Sequence, residues 1–86
     1  MEYRLSHHAR EEMQRRGIPE TVVAELLSEP QQVVPGSEGR SVYQSQVEFA
    51  DGSRYLVRAV VAESAVPPVV VTVYRTSRLA KYWRQP

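Results

Sequence analysis

Four side chains have types and settings suited to moving protons or holding an anion: His8, Arg58, Tyr74 and Arg75. His7 and His8 are the only histidines, and an imidazole titrating near ~6.5 is the usual proton shuttle at neutral pH. Glu12 follows His8 by four residues, on the same helix face, where a carboxylate can orient or charge the ring. Arg58 lies within "SRYLVRAVV", flanked by Leu56 and Val60. A guanidinium in that setting needs a partner or an open face. An ion pair with Glu48 or a helix carboxylate meets the need, and so does an open face aimed at phosphate. Tyr74 and Arg75 end the last strand on opposite faces, where a scaffold holds a side chain beside an accessible loop. Tyr74 could stack on a base or donate a proton, and Arg75 could hold a phosphate. The plainer alternatives are a core tyrosine, a solvated arginine and a surface histidine.

Charge gathers around the later candidates. From Met1 to Ser53 five arginines stand against nine acids, a net of −4, whereas from Arg54 onward six cations face Glu63 alone, a net of +5. Ten of the eleven basic residues are arginine, whose planar fork pairs bidentately with phosphate as lysine cannot. A basic second half on a chain of net charge +1 points to an anionic ligand on one face, or to pairing with the acids of the first half within the fold. Arg54, Arg78, Lys81 and Tyr82 are the added candidates for nucleic-acid contacts, three by charge and one by its ring. His8 and Glu12 lack a third ligand at a metal-binding spacing, and the chain has no cysteine. No metal and no cofactor is therefore expected.

These residues need elements to position them. "EYRL" reads as a short strand, Ser6 as a helix cap, and "HHAREEMQRR" as a helix closed by Gly17. "IPETVVAELLSEP" is a second helix, with Val22, Val23, Leu26 and Leu27 on one face and Pro30 at its end. The period then falls to two. "QQVV", "RSVYQSQVEF", "SRYLVRAVV" and "VVVTVYR" read as strands, the middle two joined at Asp51-Gly52, the strongest short hairpin signal. A two-residue turn there would pair Ser45 with Arg58, Val47 with Leu56 and Tyr43 with Val60. Thr76 or Ser77 can cap a closing helix, "RLAKYW", whose Leu79, Tyr82 and Trp83 share a face. The expected architecture is α+β, in the order β-α-α-β-β-β-β-α. A curled antiparallel sheet carries the N-terminal helix pair on one face, leaves the other partly open, and ends in a short C-terminal helix.

With 86 residues, 42% of them hydrophobic, the chain should form one globular domain, here 1–86. Its N-terminus is charged where a signal peptide would be apolar, and "AVPPVVVTVY" falls short of the ~18 residues of a membrane span. A cytoplasmic protein without a membrane partner is expected.

The ordered motifs "HA", "M..RGI", "V...L..P", "Y.......DG..Y.VR.VV" and "VVTVYRTSR..KYW" span almost the whole chain. They resemble a small uncharacterised bacterial domain family, which in turn is laid out like BrnT, a toxin of the RelE/ParE type. BrnT-like toxins share the "RGI" elbow and a final strand leading into a basic helix with a late tyrosine. The resemblance implies a metal-independent endoribonuclease silenced by a cognate antitoxin, with RNA as its other partner. Arg75 matches the basic position after the strand core, Thr76 and Ser77 the capping pair, and Lys81 a basic position of the last helix. Tyr74 stands where the BrnT pattern tends to have arginine. The rival reading is a non-catalytic domain whose basic sheet face binds nucleic acid or protein, and a homodimer is left open.

Overall fold

The structure is a computed structural model that describes residues 1–85. The chain runs through β1 (Arg4–Leu5), α1 (His7–Arg15), α2 (Glu20–Ser28), β2 (Gln32–Pro35), a 3₁₀ turn (Ser37–Gly39), β3 (Ser41–Glu48), β4 (Arg54–Ala62), β5 (Val69–Thr76) and α3 (Leu79–Tyr82). This is the expected α+β order. Ser6 caps α1 by accepting the Ala9 N–H at 3.0 Å, and its own hydroxyl donates to the Val71 carbonyl at 2.9 Å. One serine thus starts the helix and ties it to β5. Gly17, at φ +64°, provides the left-handed turn between the helices. Pro19 lies at the cap of α2, just ahead of the first helical turn.

The five strands are ordered β1-β5-β4-β3-β2. All neighbours are antiparallel except β1, which runs parallel to β5, so the sheet is mixed where a purely antiparallel one was expected. The cause is local. The N–H groups of Arg4 and Ser6 donate to the carbonyls of Pro68 and Val70 at 2.9 and 3.0 Å, before the serine turns the chain into α1.

The β3–β4 hairpin corrects a second expectation. The Phe49 N–H bonds the Ser53 carbonyl at 2.8 Å, leaving three residues, Ala50, Asp51 and Gly52, in the loop. Gly52 takes φ +84°, the left-handed position of a three-residue loop, and the Asp51 carboxylate accepts the Ser53 N–H at 2.9 Å. One extra loop residue shifts every pair. Arg58 lies opposite Gln44 and not Ser45, Leu56 opposite Gln46 and not Val47, and Tyr43 opposite Ala59 and not Val60.

The register decides which side chains share a face. Val57, Ala59 and Val61 of β4, with Val70 and Val73 of β5, are sealed beneath Ala9 and Met13 of α1 and Val23, Leu26 and Leu27 of α2. Each such aliphatic side chain contributes roughly 1.5–3 kcal/mol by leaving water. The second face carries Leu56, Arg58, Gln44 and Tyr74, and α3 with the residues behind it lies over part of that face. A bulge between Val60 and Val61 adds Val71 to β5 and keeps both ends of that strand aimed at their layers.

Candidate functional site

Arg58 organises the second face. Its Nε donates to Gln44 Oε1 at 2.8 Å and its Nη1 to the Tyr74 hydroxyl at 2.5 Å. Tyr74 is its cross-strand partner on β5, and Gln44 its partner on β3. The guanidinium carbon sits 4.1 Å from the centre of the Tyr82 ring, a cation–π contact supplied by α3. No carboxylate lies within ion-pair distance of Arg58 among the described residues. Glu48, the expected partner, instead meets Arg54 at 3.9 Å. The Arg58 Nη2 makes no hydrogen bond among the described residues, yet no buried side-chain nitrogen or oxygen is left without a partner. The cation is held by neutral groups and keeps donors to spare.

Gln44 is the brace. It is fully buried, and while its oxygen accepts from Arg58, its Nε2 donates to Gln32 Oε1 at 2.7 Å and to the Tyr82 carbonyl at 3.1 Å. Gln32 in turn donates to the Arg84 carbonyl at 2.6 Å and accepts the Arg84 N–H at 3.1 Å. Two amide side chains thus fix the arginine and pin down the C-terminal segment. Neither glutamine stood out in the sequence, because the two-residue turn hid Gln44 from Arg58. The right hairpin register would have shown a polar residue facing the isolated cation.

The tyrosines have unequal settings. The Lys81 ammonium, first, and then the Tyr74 hydroxyl and Arg58 charge hold the Tyr82 phenol below its usual range, against the opposite pull of burial. Lys81 Nζ lies 5.1 Å from that ring's centre, and the rings of Tyr74 and Tyr82 meet edge to face at 6.3 Å. Tyr74 accepts from a guanidinium, so its own O–H proton remains available to another acceptor.

The other candidates are placed elsewhere. Arg75 faces the helix side of the sheet, opposite Val57, with its guanidinium 4.4 Å from the Phe49 ring and 4.6 Å from that of Tyr55. His8 is exposed on α1, the helix that packs against the opposite face of the sheet from Arg58. Its intended partner is taken: Glu12 accepts from Arg15 Nη2 at 2.8 Å and Arg16 Nε at 3.0 Å, and these bonds hold its carboxyl below the usual range. Arg78 is exposed and its N–H is held at 3.0 Å by Thr76 Oγ1, which forms a turn and does not cap α3. Arg54 is exposed at the hairpin end. The structure therefore brings Arg58, Tyr74, Tyr82 and Lys81 together, and leaves His8 and Arg75 across the sheet. Among the described residues no group of three or more histidines or carboxylates is placed to hold a metal, and no helix is long and apolar enough to cross a membrane.

With this geometry in hand, the comparison with protein families is decisive on one point: the family described as a domain of unknown function, DUF4258, matches residues 5–75. The chain belongs to the DUF4258 family. No curated protein and no solved structure matches it. The DUF4258 match takes in Gln44, Arg58 and Tyr74 and stops one residue before β5 ends, so Lys81 and Tyr82 come from beyond it.

Proposed function

We propose that this protein is a toxin-like, metal-independent endoribonuclease whose working centre is the Arg58–Tyr74–Tyr82 cluster with Lys81. The observation that carries this reading is an arginine without a carboxylate partner among the described residues, bonded to a tyrosine hydroxyl and stacked on a second tyrosine. The resemblance of the motif order to BrnT and RelE-type toxins supports it, as does a basic helix closing the chain. Such a toxin is paired with a cognate antitoxin, and its substrate is RNA.

The chemistry follows from the groups. Self-cleavage of RNA needs a base for the 2′-hydroxyl, an acid for the leaving 5′-oxygen and cations for the charge on phosphorus. Tyr82, whose phenolate is favoured by Lys81, takes the 2′ proton. The 2′-oxygen bonds to phosphorus, the bond from phosphorus to the 5′-oxygen breaks, and Tyr74 gives its proton to that oxygen. The products are a 2′,3′-cyclic phosphate and a 5′-hydroxyl. Arg58 neutralises the equatorial oxygens through the donors that Gln44 and Tyr74 leave free. His8 and Arg75 have no part in this scheme, since they lie across the sheet.

A second reading, a non-catalytic RNA-binding face, is favoured by the absence, among the described residues, of any histidine or carboxylate paired with Arg58. One experiment separates the two. The purified protein, Arg58→Met, Tyr74→Phe and Arg75→Ala are incubated with single-stranded RNA, and both binding and cyclic-phosphate ends are measured. Cleavage lost in the first two variants and kept in the third supports the nuclease. Salt-sensitive binding without cleavage, weakened by Arg58→Met, supports the binding face. Full cleavage by Arg58→Met overturns the proposed centre.

A further inference from the structure

The opposite layer holds a second feature that the RNA reading does not use. β2 pairs with β3 only from Gln32–Gln44 to Pro35–Ser41, while β3 continues to Glu48. The outer edge of β3 from Ser45 to Glu48 is therefore without a neighbouring strand. The Gln46 N–H points outward, since it donates to Gln31 Oε1 at 2.9 Å, and the inward Phe49 N–H fixes the alternation. The Glu48 N–H and the carbonyls of Gln46 and Glu48 then point outward too. Natural sheets guard such an edge, because it is a template for another chain.

Here the edge forms one wall of a groove of about 270 Å³ between α2 and β3. Its apolar surface comes from Val22, Leu26 and Val47, and its rim from Glu25, Glu29 and Glu48. Glu25 and Glu29 have no ion-pair partner among the described residues, and Glu48 has only the 3.9 Å contact with Arg54. With the Gln46 N–H taken by Gln31, the groove combines the Glu48 N–H and the Gln46 and Glu48 carbonyls with an apolar floor and a negative rim. Pairing with the same edge of a second copy would bring these carboxylates together, so charge disfavours that occupant.

We infer that this groove binds an extended, basic segment of a partner protein, which adds a strand to β3 and sets every second side chain, the cationic set, into the space under α2. The main-chain ladder gives affinity, and the alternating side chains give selection. Arginine or lysine side chains of that set lay their stems over Val47 and Leu26 and bring their heads to Glu25 and Glu29, while the apolar residues between them point to the opposite face, on the side of Gln46 and Glu48. The inference is independent of the RNA site, since none of Arg58, Tyr74, Lys81 and Tyr82 lines the groove.

The test uses the full chain and two synthetic heptapeptides, one alternating valine with arginine and one alternating valine with glutamate, read by calorimetry and by amide shifts of Gln46 to Glu48. Saturable binding of the arginine peptide alone, with those amides perturbed, is expected. The Glu25→Gln/Glu29→Gln double variant changes only exposed groups and should weaken binding by about fivefold or more. Glu48→Pro removes an outward N–H that the fold does not use, and should weaken it further while leaving the far-ultraviolet spectrum intact. No saturable binding, equal binding of the glutamate peptide, or undiminished affinity in both variants overturns the inference. So does a dimer in sedimentation that Glu48→Pro dissolves, since the edge would then serve a second copy.

Discussion

Replacing Gln44 by leucine tests the brace beneath Arg58. The side chain is fully buried and makes three hydrogen bonds, one from a charged donor and two from its own amide nitrogen. Bonds to a charged group contribute roughly 1.5–3 kcal/mol and neutral ones roughly 0.5–1.5 kcal/mol each. Leucine of similar size recovers part of the loss by apolar burial. The Gln32 oxygen also keeps its bond from the Arg84 N–H. A net cost of about 2–3 kcal/mol remains, and in a domain this small each kcal/mol lowers Tm by roughly 4–8 °C. Gln44→Leu should thus melt roughly 10–20 °C lower in a calorimetric scan at neutral pH. Trypsin should also cut after Lys81 and Arg84 faster than in the parent, because the Tyr82 carbonyl and Gln32 have lost their anchor. A fall in Tm of under about 3 °C with unchanged cleavage would show that neither Arg58 nor the C-terminal segment depends on this residue, and the account of the site would fail.

The remaining expectations are briefer. Tyr74→Phe should cost about 1–2 kcal/mol in urea unfolding, since one hydrogen bond to a charged donor is lost without a cavity. Gly52→Ala should lower stability by about 1 kcal/mol through its left-handed φ of +84°, although space around it is open. Arg75→Ala removes two ring contacts and should cost about 1–2 kcal/mol while leaving any RNA cleavage intact. Ser41 and Tyr43 donate to Glu63 and hold its carboxyl below the usual range, so this pair supports folding above the unfolded value of ~4.3 and loses its effect as pH falls through the lower folded one. The same bond pushes the Tyr43 phenol up to about 12, so its contribution is complete below ~10 and fades as pH rises towards the folded value. In Glu63→Gln both the acid and the alkaline limb of a Tm-against-pH curve should flatten, and phenolate absorbance should appear at lower pH.

Much of the framework was legible from residue patterns. Ser6, Gly17 and Pro30 mark helix ends by chemistry that acts within a few residues, and they act there in the fold. Strand periodicity likewise located β3, β4 and β5 to within about two residues. What escaped was set by longer-range choices. An Asp-Gly pair serves both two- and three-residue loops, and only the packing of Val57 and Ala59 under the helices decides between them. The same slip concealed Gln44. Glu12 has His8, Arg15 and Arg16 all at helical three- or four-residue spacing, and spacing alone could not rank the two arginines above the histidine. The parallel docking of β1 depends on Pro68 and Val70, more than sixty residues away. The candidate site was read as a roll of cations, whereas opposite strand faces divide it.

Gln32 grips the main chain of Arg84 with both halves of one amide, and its hydrogen bonds there use no atom of that residue's side chain. Such a clasp is blind to which residue occupies the position. The tail laid over β2 can therefore exchange its side chains freely while the docking persists, and the character of the surface around Arg58 can be rewritten from the chain's last turn without disturbing the sheet beneath.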